Sequence, residues 1–291
     1  MNMGMGGRWL RSALIAAAAI LASVSAAPAQ MPGTPTPPSG GGVTNETTMG
    51  VGGGLGDSLS YGTVGDEHQR EQFAAFQSFS KETNATKRIE KGREFLKKYP
   101  KSSFEEQVDA SLVDTYRTQA DWNDEYHYAD LALILNPNDV DVLATVSWTI
   151  PHIFDPKAPN AGEQLDKAER YSKHALEVLA TLPKPAAMSD AQFTAAKAKR
   201  TYQLHSALGL VYFRRNDYDN SEKELAQATK DNPAPDQTDL YVLGLDRVHL
   251  SRFAEAAEAF HACAAMAGAF HDPCTNNAAV ATNQAAAAKT Q

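Results

Sequence analysis

The sequence lacks the features that usually mark nucleic-acid-binding proteins, membrane-spanning proteins and nucleotide-dependent enzymes. Acidic residues outnumber basic ones, 35 against 27, and no run of lysine and arginine marks a phosphate-binding surface. Nucleic acid is therefore not an expected partner. Beyond the first thirty residues no stretch reaches the ~20 apolar residues that a bilayer span requires, so no membrane span is expected in the mature chain. Neither a P-loop nor a dinucleotide-binding fingerprint is present.

Patterns that indicate catalysis are also missing. The eight histidines form no H-E-x-x-H arrangement, and none stands beside a plausible nucleophile. The glycines at 50–56 precede no strand-turn-helix unit, so they do not indicate a phosphate-binding loop. The sequence therefore predicts no catalytic residue, no cofactor and no metal ligand, and we expect that the protein is not an enzyme.

The first 29 residues have the three regions of a secretory signal peptide. Arg8 and Arg11 give a positive start, residues 14–24 are apolar and alanine-rich, and Ala27-Pro28-Ala29 offers small residues at a cleavage site. A membrane anchor is the rival interpretation, but the apolar stretch is shorter than the ~20 residues of a bilayer span. The sequence therefore predicts cleavage before Gln30 and export to the periplasm or the extracellular space.

The remainder divides into three segments by composition. Residues 30–64 are rich in glycine, proline, serine and threonine, which is typical of a flexible segment. Helical periodicity extends over residues 65–270 without strand signals. Residues 271–291 form an alanine-rich tail, and we expect residues 276–291 of it to fray. Within the helical region, Ser189 and Gln192 form a capping-box pattern that predicts the start of a helix.

Two cysteines stand near the end of the helical region, close to two histidines. His261, Cys263, His271 and Cys274 lie within fourteen residues, but their spacing is not a familiar zinc pattern. In an exported protein, an even pair of cysteines usually forms a disulfide. The favoured prediction is a Cys263–Cys274 disulfide, and free thiols or a metal site are the alternatives.

A pattern of small and bulky residues repeats along the helical region. The best unit and the next one begin with Leu-Gly pairs whose glycines are 35 residues apart. The first contains Leu208, Gly209, Tyr212, Tyr218, Ser221, Leu225, Ala228 and Pro233, and the second contains Leu243, Gly244, Phe253, Ala256, Phe260 and Cys263. An earlier unit contains Leu112, Tyr116, Trp122, Ala132 and Pro137, and Pro100 ends another. These residues resemble the tetratricopeptide-repeat signature, whose period is about 34 residues.

The resemblance implies an all-α fold, an α-solenoid of four to five stacked antiparallel helix pairs that wind into a right-handed superhelix. Gly209, Ser221 and Ala228 would let two helices approach closely, and each pair would bury its remaining apolar face against its neighbours. A globular bundle of the same helices is the alternative. Three positions depart from the family pattern: His205 replaces a bulky apolar residue, Arg247 an aromatic one and Glu125 a small one.

The resemblance also implies a concave groove lined by the first helix of each repeat. In two adjacent repeats the residues that face away from the partner helix are Gln203, Ser206, Leu210, Phe213, Tyr241, Leu245 and Val248. An extended or helical peptide with aromatic anchors would fit such a groove, unless neighbouring repeats or the tail cover it. We therefore predict a non-catalytic scaffold in the cell envelope or outside the cell that binds a polypeptide. An accessory or metal-binding module of an envelope enzyme system, and a purely structural envelope component, are the alternatives.

Overall fold

The computed structural model describes residues 67–230, 232 and 234–289. The predicted signal peptide (1–29), the predicted flexible segment (30–64) and Pro233 lie outside the described residues. The described part contains eleven α-helices and no strand, which confirms the all-α prediction. The helices are α1 Glu67–Ser80, α2 Ala85–Lys98, α3 Glu105–Thr118, α4 Trp122–Leu135, α5 Val140–His152, α6 Ala161–Thr181, α7 Asp190–Arg214, α8 Tyr218–Thr229, α9 Gln237–His249, α10 Phe253–Ala264 and α11 His271–Ala288.

The helices pack in chain order. Each helix contacts the next, so that α1 to α10 form five consecutive pairs and α11 packs on α10. In addition, the first helices of neighbouring pairs contact one another, α3 with α5, α5 with α7 and α7 with α9. This pattern is consistent with a helical solenoid, in which every pair completes its core against its neighbours.

The turn between the two helices of a pair is repeated three times with the same backbone geometry. Ala120, Asn216 and Ser251 adopt the left-handed conformation, with φ values of 56°, 61° and 61°. In each copy the amide of the following residue donates to the carbonyl oxygen five positions back, at 3.1, 3.0 and 2.8 Å. This is the Schellman arrangement, which satisfies the carbonyls at the end of the first helix while the chain reverses. The repeat is therefore present in the backbone as well as in the side chains.

Glycines set the distance between paired helices at equivalent places. A Cβ atom at Gly209 would lie 2.5 Å from Cγ of Leu225, and one at Gly244 would lie 2.5 Å from Cε1 of Phe260. Because real Cβ atoms do not approach other heavy atoms so closely, only glycine allows these helix pairs to pack at this distance. The close approach predicted for Gly209 is confirmed.

Replacement of Gly209 by alanine is expected to lower the free energy of unfolding by about 1–3 kcal/mol, because the added methyl group displaces Leu225 from the core. Gly162, in α6, is the matched control, since a Cβ there would meet nothing within 4 Å. Gly162→Ala should instead raise stability by roughly 0.5–1 kcal/mol by lowering backbone entropy in the unfolded chain. Urea denaturation of both variants tests this. Equal effects would contradict the proposed role of Gly209.

The middle of the chain is longer than an ordinary repeat. Pro151 lies inside α5, one residue before its end, and residues 153–160 connect α5 to the 21-residue helix α6. The 25-residue helix α7 begins after Ser189, whose side chain and that of Gln192 form the predicted capping box, which is confirmed. The additional residues of this region therefore lengthen one connection and two helices.

The expectation of a frayed C-terminal tail is wrong for residues 276–288, which belong to α11. The small residues Cys274, Ala278 and Ala281 share one face of this helix and are buried against α10. Alanine has the highest helix propensity, and side chains this small let two helices approach closely. Because such a face has little hydrophobic contrast with its polar neighbours, periodicity alone does not reveal it.

Candidate functional site

The structure divides the predicted groove residues into a buried set and a half-buried set. Ser206 and Leu210 are fully buried and Leu245 is 5% exposed. Leu210 packs in a core cluster with Leu225 and Val242, so it is not open to a peptide. At these positions the neighbouring repeat covers the side chains, which was the alternative to an open apolar floor. Gln203, Phe213, Tyr241 and Val248 are half-buried.

The half-buried aromatic residues are held in place by other rings. Phe213 lies 6.1 Å from Tyr218, and Tyr241 lies 6.0 Å from Phe260 and 4.8 Å from Phe270, between ring centroids. Phe270 belongs to the segment that leads into α11. The C-terminal segment therefore covers part of Tyr241. The neighbouring rings restrain the side chains of Phe213 and Tyr241, so that neither ring is free to rotate.

The predicted groove position Ser206 belongs to a buried polar network. The Ser206 hydroxyl donates to Oδ1 of Asp239 at 2.8 Å, and the Tyr202 hydroxyl donates to Oδ2 of Asp239 at 3.0 Å. Burial, with a smaller contribution from Asp236, raises the pKa of Asp239 to about 7. One ring nitrogen of His152 lies within 4.8 Å of carboxylate oxygens of both aspartates.

Sequence reasoning did not find this network. His152 lies far from Asp239 in the chain, and no motif connects the two. The one signal that was available is the four-residue spacing of Tyr202 and Ser206, which places both on the predicted inner face of α7.

Two positions that depart from the repeat pattern have carboxylate partners. Arg247, at a usually aromatic position, contacts Glu222 at 3.1 Å, and Arg252 reaches the other oxygen of the same carboxylate at 3.1 Å. His205 lies 2.6 Å from Glu224. In both cases polar side chains from α7, α8, α9 or the turn before α10 replace an apolar contact, so the helix packing is retained.

Glu125, the third departure, is fully buried in α4. Neither of its carboxylate oxygens has a hydrogen-bond partner among the described residues, and the nearby Thr149 hydroxyl lies outside hydrogen-bonding geometry. Burial raises the pKa of Glu125 to about 8, with Thr149 and Arg117 opposing the shift. Asp246 is similar: burial raises its pKa to about 8, although the Ser221 hydroxyl donates to it at 2.6 Å.

Cys263 and Cys274 are bonded to each other, with Cα atoms 5.8 Å apart. Both are fully buried, whereas His261 and His271 are exposed. Because each sulfur is bonded to the other, neither is available as a thiolate ligand. The disulfide connects α10 to α11.

A shallow cavity of about 350 Å³ lies between α8, α9 and α10, lined among others by Leu240, Arg247 and Glu258. It includes none of the predicted groove residues. Over the part of the chain that the structure describes, no helix combines the length and the apolar character that crossing a bilayer would take.

Comparison with models of known protein families gives no match to this chain, and comparison with curated proteins gives no similar sequence. Any statement about function therefore depends on the sequence patterns and the geometry described above.

Proposed function

We propose that this protein is an exported tetratricopeptide-repeat scaffold whose helix pairs wind into a right-handed superhelix and bind a polypeptide partner without catalysis. The observation that carries the proposal is the row of contacting first helices, α3, α5, α7 and α9. Such a row forms one extended surface rather than a closed pocket, and repeat proteins use surfaces of this kind to bind other chains. The proposal of export is supported by the sequence of residues 1–29 alone.

The binding surface that we propose is smaller than the seven-residue groove. It consists of the half-buried residues Gln203, Phe213, Tyr241 and Val248, on α7 and α9. Beneath it, Leu210 and Leu245 are part of the core and hold the two helices together. Restrained aromatic side chains lose little conformational entropy on binding, which favours them as anchors for a peptide.

A photo-crosslinking amino acid at Gln203 or at Val248 tests the surface. Both positions should yield an adduct with the same partner from an envelope extract of the native host. Lys223 and Gln227 are the matched controls, because they are exposed on the second helix α8. We expect no adduct, or a much weaker one, from the control positions.

Competition with protein that lacks the crosslinking amino acid tests whether binding is specific. An excess of this unmodified full-length chain should abolish the adducts at Gln203 and Val248. Adducts of equal yield at all four positions, or none at Gln203 and Val248, would contradict the assignment of the surface.

A further inference from the structure

His152, Asp236 and Asp239 meet on the inner side of three first helices. One ring nitrogen of His152 and one carboxylate oxygen from each aspartate all lie within 4.8 Å of one another. His152 is at the end of α5, whereas Asp236 and Asp239 are at the start of α9. The helix between them, α7, carries the small residue Ser206 at this point, which leaves room for the three side chains.

The histidine has an unused nitrogen. His152 is 5% exposed, and its Nδ1 lies 2.7 Å from the carbonyl oxygen of Trp148, whose indole ring stacks on the imidazole at 3.7 Å. Its Nε2 is buried and has no hydrogen-bond partner among the described residues. If Nδ1 carries the proton that the Trp148 carbonyl accepts, then Nε2 presents a lone pair. Burial lowers the pKa of His152 to about 4, which keeps the ring neutral.

The two aspartates are oriented by hydrogen bonds from other residues. Both oxygens of Asp239 accept hydrogen bonds, from Ser206 and from Tyr202. Asp236 caps α9, with its Oδ1 accepting from the Thr238 amide at 2.7 Å. The Tyr202 hydroxyl also accepts from the Asp236 amide at 3.2 Å. A single tyrosine therefore fixes both acidic residues, and each carboxylate keeps further lone pairs.

We propose that His152, Asp236 and Asp239 bind one divalent transition-metal ion, and that zinc fits this donor set best. Imidazole and carboxylate ligands suit zinc, with donor distances of about 2.0–2.2 Å. In a tetrahedral site, two donors at these distances from the ion are about 3.3–3.6 Å apart, so a contraction of at most about 1.5 Å assembles the site. Three protein donors leave a fourth tetrahedral position for a small oxygen ligand.

The surrounding groups have the features of a metal site. A ligating histidine usually donates its other ring N–H to a carbonyl, as His152 can to Trp148, and ligating carboxylates are themselves hydrogen-bonded. The positive group nearby is Arg214 on α7, which donates to the Pro151 carbonyl at 3.3 Å. Once a cation displaces the proton from Asp239, the two carboxylate charges outweigh that of this single guanidinium, so the site can hold the cation.

Binding would connect the first helices of three successive pairs. The ion joins α5 to α9 over α7, and Ser206 and Tyr202 on α7 hold one of its ligands. The site therefore goes beyond the proposed peptide binding, because it fixes the relative position of the helices that carry the proposed surface.

The test uses the full-length protein after removal of metal with a chelator. Titration with zinc chloride is followed by calorimetry, and thermal unfolding is measured with and without zinc. One equivalent should bind, and Tm should rise with zinc concentration because the ion binds the folded state. Asp239→Asn and His152→Gln should lower the affinity by more than about 100-fold, and Tyr202→Phe, which removes a supporting hydrogen bond, by about 10–100-fold.

Asp246→Asn is the matched control, because Asp246 is equally buried and also accepts a hydrogen bond from a serine. It should bind zinc like the unchanged protein, as should the double variant His261→Ala, His271→Ala. Absence of binding to the unchanged protein would overturn the proposal. Retained affinity in Asp239→Asn, with helicity intact by circular dichroism, would overturn it too. Sulfur ligands in the X-ray absorption spectrum of the zinc-loaded protein would do the same.

Discussion

A fall in pH from about 8 to about 5 is expected to raise the free energy of unfolding of this protein. Besides Asp239, burial raises the pKa values of four further carboxyl groups, those of Asp109 and Asp139 to about 7 and those of Glu125 and Asp246 to about 8. Between the unfolded and folded pKa values, the folded state binds more protons than the unfolded state. The stability that these groups contribute is therefore fully present below their unfolded pKa values and is lost as the pH rises through their folded pKa values.

Ion-paired carboxylates reverse this trend in stronger acid. Burial tends to raise the pKa of Glu169, but hydrogen bonds from Lys173 and Arg215 hold it at about 2. Because this folded pKa lies below the unfolded one, its contribution is present above about pH 4.5 and disappears as the pH falls towards 2. Maximal stability is expected near pH 5, between the two groups of carboxylates.

Glu125→Gln isolates one of the larger parts of this dependence. With a folded pKa of about 8, Glu125 becomes charged in the folded protein as the pH rises. The charge lowers the free energy of unfolding because the carboxylate is buried and its oxygens have no hydrogen-bond partner among the described residues. The difference in unfolding free energy between Glu125→Gln and the unchanged protein should shift in favour of the variant by on the order of 3 kcal/mol between about pH 5 and pH 8.

Urea denaturation at several pH values measures this difference. Glu258→Gln is the control, because Glu258 is exposed on α10, and its curve should follow that of the unchanged protein. If the Glu125→Gln curve also runs parallel to that of the unchanged protein from pH 5 to 8, then Glu125 is not the buried neutral acid that the structure indicates.

Reduction of the Cys263–Cys274 disulfide is expected to lower the free energy of unfolding by roughly 2–4 kcal/mol. The bond closes a short loop, with a sequence separation of 11, and joins α10 to α11. Since α11 contributes only small side chains to its buried face, the disulfide supplies a large part of what holds this helix in place. Amide hydrogen exchange in residues 271–288 should therefore accelerate after reduction, while exchange in α3 stays slow.

The variant Cys263→Ala, Cys274→Ala is the control for this experiment. It should resemble the reduced protein and should not respond to a reducing agent. The unreduced protein should show no titratable thiol, and two thiols should appear after reduction in denaturant. Titratable thiols before reduction, or an unchanged exchange rate in α11 after it, would refute the expected role of the bond.

Apart from α11, the helices themselves were determined by the sequence alone, because the signals that start, stop and space them act between near neighbours. The capping pair Ser189 and Gln192 begins α7, and Pro100 and Pro137 each follow the end of a helix. Gly209 and Gly244 marked the close approach of paired helices because one missing side chain has the same consequence in each repeat. Interactions of this kind depend on side-chain size and on a separation of a few residues, and both can be read from the sequence.

Only the tertiary structure decided which outward-facing positions stay accessible and which polar groups meet. Helical spacing places Ser206, Leu210 and Leu245 on the inner face, but the contact of α7 with α9 buries them. His152 and Asp239 come together because α5, α7 and α9 lie side by side, and no local pattern encodes this contact between distant parts of the chain. The burial that gives Glu125 its raised pKa likewise comes from neighbouring helices, since desolvation depends on everything that surrounds a side chain and not on its own element.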